Sequence, residues 1–222
     1  MKHLKHLKTL MMVMILSLLT TVAISCGGEE VTEIKANFKQ TKGIENGYTW
    51  IDLGLPSGLK WATCNVGATA PEGYGDYFAW GETTIKSNYS NPSYTYSSNP
   101  TTLPLSADAA RVNWGGSWRM PTKAEQDELR DTNNCTWTWT TQNGVKGYKV
   151  TSKKNGNSIF LPAAGYRFNS SLSLVGSYGN YWSSSLNTSY SLYAYVVGFD
   201  SDYVGRSDYY HYYGFSVRAV CE

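Results

Sequence analysis

Residues 178–220 read YGNYWSSSLNTSYSLYAYVVGFDSDYVGRSDYYHYYGFSVRAV. Tyrosine, serine, asparagine and aspartate fill the spaces between a few apolar runs, and Phe215-Ser216-Val217-Arg218-Ala219-Val220 alternates as a half-buried strand does. This is the composition of a binding surface. Tyrosine supplies large, stiff contact area at small entropic cost, while serine and asparagine supply adaptable hydrogen bonds. The ligand-binding residues this reading selects are Trp80, Asn180, Tyr181, Asp202, Tyr203, Asp208, Tyr209, Tyr210, Tyr212 and Tyr213. Their rings would stack on a sugar or fill a partner's pockets, with Asn180, Asp202 and Asp208 directing hydrogen bonds.

Working outward, the stretch before it is an antiparallel meander. Thr136-Trp137-Thr138-Trp139-Thr140 alternates, Asn143-Gly144 marks a tight hairpin, residues 148–151 return, and Asn155-Gly156 leads into Ile159-Phe160-Leu161. Further upstream, Thr122-x-x-Glu125 after Pro121 is a capping box and predicts a helix from Lys123 to about Asp131. A shorter helix is expected over residues 106–112 with Ser106 as its cap. Strands are expected at residues 48–53, 59–64 and 76–81, and residues 86–104 form a Ser-, Asn-, Tyr- and Pro-rich loop long enough to be mobile or functional. Short helices followed by hairpins and aromatic strands predict a single α+β domain.

The N-terminus carries Lys2, Lys5 and Lys8 before an apolar run over residues 10–24. That run is shorter than the roughly 20 residues a membrane span needs and fits the core of a secretory signal peptide. Ala23-Ile24-Ser25-Cys26 resembles the lipobox of bacterial lipoproteins. The resemblance implies a signal peptide over residues 1–25, a lipid on Cys26, and a protein anchored to the membrane rather than spanning it. Gly27-Gly28-Glu29-Glu30 is similar to the signal that sends lipoproteins of gut Bacteroidetes to the cell surface, which implies an outer-membrane, surface-exposed location. Residues 26–46 read as the lipidated terminus and a flexible tether, and residues 47–222 as the folded domain.

The census of reactive residues narrows the chemistry. Loss of Lys2, Lys5 and Lys8 turns the formal charge of +2 into 16 basic against 17 acidic residues, so no basic field remains to attract nucleic acid. His211 becomes the only histidine, and it sits in a tyrosine run without an obvious partner. No HExxH, CxxC, P-loop or GxGxxG occurs, and no acidic residue lies between Asp131 and Asp200. A carboxylate pair for glycan hydrolysis would have to come from Asp52, Asp76, Glu82, Asp200 and Asp202, each of which reads more simply as a turn or surface residue. The expectation is a non-enzymatic protein with neither catalytic residues nor cofactor nor metal. Cys64, Cys135 and Cys221 remain; an oxidising envelope allows two of them to pair, in any of three ways, or leaves buried thiols.

Several motifs in order carry a family resemblance: Leu55-Pro56-Ser57-Gly58, Trp61-Ala62-Thr63-Cys64-Asn65-Val66-Gly67-Ala68, Trp114-Gly115-Gly116-Ser117-Trp118-Arg119-Met120-Pro121-Thr122, Leu161-Pro162-Ala163-Ala164-Gly165-Tyr166-Arg167, Tyr181-Trp182-Ser183-Ser184 and Ser216-Val217-Arg218. They resemble the Fibrobacter succinogenes major paralogous domain found in lipoproteins of Bacteroidetes. That family is similar to C-type-lectin-like domains, which implies paired N- and C-terminal strands, here residues 59–64 against 215–220, and loops that carry binding. It also implies that Trp118, Arg119, Trp182 and Arg218 are mostly core and scaffold. The Glu-Pro-Asn and Trp-Asn-Asp calcium motifs of sugar-binding C-type lectins are absent, and Cys64, Cys135 and Cys221 do not reproduce the cysteine pair of formylglycine-generating enzymes. Ser207-Asp208-Tyr209-Tyr210-His211-Tyr212-Tyr213 also resembles the patches varied by retroelements on this fold; an aromatic strand typical of the family is the plainer reading. The function expected is a surface-anchored adhesion or binding lipoprotein for a glycan or protein ligand. A structural envelope or pilus-tip component and an envelope enzyme acting on glycans are the alternatives.

Overall fold

The computed structural model describes residues 40–222. Cys26, the signal segment and most of the expected tether lie outside the described residues.

The first hairpin joins β1 (Lys42–Glu45) to β2 (Tyr48–Asp52). Its turn is Asn46-Gly47, with φ of 45° and 86°, the left-handed pair a two-residue hairpin loop requires. The strand β3 (Lys60–Ala62) pairs antiparallel with β2, and β12 (Val220–Cys221) pairs antiparallel with β3, Val220 opposite Trp61. The resulting sheet has the order β1-β2-β3-β12 and holds both ends of the domain. The tether expected to reach residue 46 is therefore too long, because Lys42–Glu45 is part of this sheet. Asn46-Gly47 is the same turn signal that was legible at Asn143-Gly144.

Two short helices follow. Leu105–Ala107 is a single 3-10 turn, and α1 (Ala109–Trp114) is capped by Asp108, whose carboxylate accepts from the amides of Arg111 at 3.0 Å and Met120 at 2.8 Å. Ser106 is not the cap, because it lies within the 3-10 turn. The helix α2 (Lys123–Arg130) carries the capping box as read: Thr122 Oγ1 accepts from the Glu125 amide and Glu125 Oε2 accepts from the Thr122 amide. The meander β4 (Cys135–Gln142), β5 (Val145–Ser152) and β6 (Ser158–Pro162) turns first at Asn143-Gly144. A small hairpin, β7 (Tyr166–Phe168) with β8 (Ser171–Ser173), precedes the third sheet of β9 (Gly179–Leu186), β10 (Tyr193–Phe199) and β11 (Val204–Tyr210), ordered β11-β10-β9.

Among the described residues every strand pair is antiparallel, and the helices are six and eight residues long. The domain is thus a β-rich antiparallel fold with less helix than an α+β assignment implies. Two expected strands are also reduced. Residues 76–81 keep one bridge, Phe78 to Phe215, since the amides of Asp76, Phe78 and Trp80 go to three different places: the carbonyls of Val66, Phe215 and His211. Residues 215–220 keep isolated bridges ahead of β12 for the same reason.

The core explains why. Strand period two sends neighbouring residues to opposite faces, and here both faces are covered. Trp182, Val196, Val217 and Ala219 join one apolar cluster with Trp80, Trp114, Trp118 and Phe215. Tyr181, Val197 and Val220 join a second with Trp61, Leu129, Tyr148, Ile159 and Phe199. The segment expected to be half-buried is buried throughout, Arg218 included. Arg218 donates to Asn65 Oδ1, the Ala62 carbonyl and the Phe160 carbonyl, all within 3.1 Å. The three cysteines are free and buried; Cys64 and Cys221 belong to the first cluster and Cys135 to the second.

Candidate ligand-binding surface

The residues selected from the sequence fall into three places. Trp80, Asn180 and Tyr181 are core residues, at most 2% exposed, and offer no surface to a ligand. Their polar atoms serve the fold: Trp80 Nε1 donates to the Ser183 carbonyl and the Tyr181 hydroxyl donates to the Pro162 carbonyl. Asp202 and Tyr203 lie in the β10–β11 turn, where Asp200 Oδ1 accepts from the amides of both. At about 3.3 Å per residue, the length of β11 puts that turn roughly 20 Å from Tyr210. The third group is where β11 ends.

There the hairpin register sets Tyr193 opposite Tyr210, with ring centroids 4.3 Å apart. The chain then turns, the Tyr213 amide donating to the Tyr210 carbonyl, and the stack continues from Tyr210 to Tyr212 (5.1 Å, 17° between planes), to Tyr213 (5.3 Å, 23°) and on to Phe168 of β7 (4.9 Å, 17°). Tyr190 adds an outer ring against Tyr193 and is 66% exposed. Hydrogen bonding to Tyr210 and, to a lesser degree, burial push the Tyr193 phenol up to about 12, so the strip carries no charge at neutral pH. Tyr209 points the other way along the strand, onto Phe215 at 5.1 Å, and supports the strip from behind. Asp208 is half-buried and accepts from Asn187 Nδ2 at 2.8 Å.

A cleft of about 250 Å³ opens beside the strip, lined by Asn91, Tyr94, Leu192, Tyr210, His211 and Tyr212. Asn91 and Tyr94 come from the long loop, which is tied down by an antiparallel bridge from Tyr89 to Asn169 and by Lys86, paired with Glu82 and donating to the Ser93 carbonyl. His211 is the buried wall of the cleft, 4% exposed. Its ring lies on the Trp80 indole at 4.5 Å, and Tyr94 leans against it while donating its hydroxyl to the Trp80 carbonyl. Burial lowers the imidazole to about 4 against a smaller opposing effect of a hydrogen bond to the Tyr193 backbone. The ring is neutral at physiological pH, and its Nε2 has no hydrogen-bond partner.

Sequence reading missed Phe168, Tyr190, Leu192 and Tyr193 on this face, and Asn91 and Tyr94 across the cleft. A signal existed for Tyr193. The turn at Asp200-Ser201-Asp202-Tyr203 is rich in turn residues, and counting back along both strands from it pairs Tyr193 with Tyr210.

Three of the carboxylates considered for hydrolysis have local roles. Asp52 is buried and its Oδ1 accepts from the Gly54 amide, Glu82 accepts from Thr95, and Asp200 caps its own turn. Among the described residues, no group of three or more His, Cys, Asp or Glu side chains is placed to hold a metal ion, and no helix is long and apolar enough to cross a membrane.

A family described as a domain of unknown function (DUF8237) matches residues 137–220, a span that includes the tyrosine strip and His211 but not Asn91 and Tyr94. No curated protein and no solved structure matches the chain.

Proposed function

We propose that this protein is a non-enzymatic recognition module that takes a glycan or protein ligand on the face built by Tyr193, Tyr210, Tyr212 and Tyr213. The observation that carries the reading is the stack itself: rings from two strands, a turn and a second hairpin are brought into one uncharged, partly exposed strip. Aromatic side chains fixed in this way bind with little loss of rotamer freedom. The local turn and pairing roles of Asp52, Glu82 and Asp200 support a binding rather than a catalytic reading.

The reading extends to the whole chain. The pairing of β3 with β12 supports a C-type-lectin-like architecture and kinship with the Fibrobacter succinogenes major paralogous domain. The lipobox ending in Cys26 supports a lipid anchor at the outer membrane with the binding face turned outward. Partners are then cell-surface glycans or proteins rather than nucleic acid.

A second reading, a structural envelope or pilus-tip component, is favoured by one observation: Phe168, Leu172, Leu174 and Val175 form an exposed apolar group around the β7–β8 hairpin. Cross-linking on whole cells tests it.

The test of the main reading is a glycan and surface-protein binding screen of the full chain beside a variant carrying Tyr193→Ser, Tyr210→Ser, Tyr212→Ser and Tyr213→Ser. Binding that the variant loses supports a recognition face at this strip. Binding that the variant keeps removes the assignment.

A further inference from the structure

We propose that β11 is a docking edge for a second copy of this chain, whose own β11 pairs with it antiparallel about a two-fold axis at Ser207, so that Arg206 of each copy meets Asp208 of the other. The inference goes beyond the recognition reading above and does not depend on it.

The ladder decides which backbone groups are free. At one end of the hairpin the His211 amide donates to the Leu192 carbonyl, and at the other the Asp200 amide donates to the Tyr203 carbonyl, so the odd-numbered residues of β11 bond to β10. The amides of Val204, Arg206, Asp208 and Tyr210 then point away from β10, and among the described residues no group accepts from them. Arg206 and Ser207 are exposed and Asp208 is half-buried, so this edge can be reached. The opposite edge of the same sheet is closed: on β9 the amides of Trp182 and Ser184 donate to the carbonyls of Ser216 and Pro121. An open ladder seven residues long is a template for another strand.

Charge selects the strand. β11 runs from Val204 to Tyr210, and Ser207 is its centre. Antiparallel self-pairing over the whole strand sets Val204 opposite Tyr210 and Arg206 opposite Asp208, so the outward amides and carbonyls face each other and opposite charges meet twice. Sliding the register by two residues either way sets arginine against arginine or aspartate against aspartate. Both side chains are held in place and keep capacity for the second contact. Arg206 Nη1 donates to Asp127 Oδ2 at 2.9 Å and the guanidinium lies 5.7 Å from the Tyr195 ring, which leaves Nη2; Asp208 Oδ2 accepts from Asn187, which leaves Oδ1. Charges on an edge strand ordinarily keep other strands away. Here the two signs flank the centre and make the edge complementary to itself. The outer strands β1 and β4 lack the match: β4 carries no charge, and Lys42 and Glu45 of β1 point to opposite faces and cannot meet under this symmetry. The pairing joins two three-stranded sheets into one of six strands and sets Tyr210 of the two copies on one face, roughly 20 Å apart.

The test is sedimentation of the full chain from micromolar concentration to about 0.5 mM. A single strand pair is a small interface, so the expected result is a reversible dimer with a Kd on the order of 10–100 μM. Arg206→Glu is expected to weaken it about tenfold or more, because both crossings become repulsive. The exchange of Arg206→Asp together with Asp208→Arg is expected to restore it, which a role confined to the pair with Asp127 would not allow. Ser207→Cys sets a thiol beside its own copy across the axis and is expected to give a disulfide-linked dimer under mild oxidation, mapped to residue 207 by mass spectrometry. Ser201→Cys, exposed in the β10–β11 turn and about 40 Å from its counterpart in the pairing, is expected to give none. Should Arg206→Glu fail to melt cooperatively, the two cysteine variants decide. A chain that stays monomeric at every concentration overturns the proposal. So does a dimer that Arg206→Glu leaves intact, that the exchange does not restore, or that Ser207→Cys cross-links no better than Ser201→Cys. A monomer that still binds a ligand through the tyrosine strip leaves the recognition face standing.

Discussion

Arg218 Nε donates to Asn65 Oδ1 at 2.9 Å, tying the segment before β12 to the turn after β3 from inside the core. Burial pulls the guanidinium below its ordinary pKa, yet the three neutral oxygens around it satisfy the charge. Replacing it strands those acceptors. Arg218→Met is expected to destabilise the domain by about 3 kcal/mol or more, and Arg218→Lys to recover little, because an ammonium cannot reproduce the planar fork. Urea unfolding of the two variants against the parent checks both statements.

His211 makes stability depend on pH in a defined window. Its folded pKa, about 4, lies below the ordinary value of 6.5, so the unfolded chain binds the proton first as the medium becomes acidic. The contribution is fully present above the unfolded value and is lost as pH falls toward 4; it amounts to roughly 2 to 3 kcal/mol. Carboxylates held low, such as Glu125 against Arg119, also respond near the acid end of this window. Melting curves of the parent and His211→Phe between neutral pH and pH 4 separate the two, and the parent should lose more stability than the variant.

Gly165 sits in the Leu-Pro-Ala-Ala-Gly-Tyr-Arg motif with φ of +65°, and a Cβ there would stand 2.1 Å from the Ser173 carbonyl oxygen. Neither the backbone conformation nor the contact tolerates a side chain. Gly165→Ala is expected to cost about 2 kcal/mol or more, read as a lower urea midpoint. The β7–β8 hairpin carries Phe168, so the strip should also loosen, which tyrosine fluorescence would report.

Cys64, Cys135 and Cys221 should be silent toward thiol reagents until the domain unfolds. Burial raises all three, Cys135 and Cys221 to about 11, which removes the thiolate as well as access to it. Mass spectrometry after alkylation at pH 8 is expected to find these sites unmodified in the native protein and modified in denaturant. A disulfide among them in protein isolated from an oxidising compartment would contradict the arrangement.

Much of the fold was legible because its signals are local. Thr122 and Glu125 satisfy each other's amides within a single turn, and Asn143-Gly144 adopts φ of 47° and 83° by its own preference. What failed depends on distant residues. Tyr181 looks like a surface aromatic among serines, yet strand alternation sends it and its neighbour Trp182 to two different clusters and both are buried. Trp80 reads as part of a strand, but its amide and indole serve His211 and Ser183, far along the chain. Composition drew attention to the tyrosines after residue 200. It could not say that Tyr203 and Tyr210 stand at opposite ends of one hairpin, nor that the loop around Asn91 closes over the near end.

The pairing of β3 with β12 bears on how the protein is made. Lys60 and Trp61 leave the ribosome early, and the strand that covers their edge is Val220 and Cys221. Until those residues emerge, the central sheet lacks a strand, Arg218 is absent from Asn65, and a hairpin edge stays open. Translation therefore delivers a chain whose central sheet closes only when its last strand emerges. A ribosome that stalls before residue 220 releases a product with an unprotected edge, which quality-control proteases should clear.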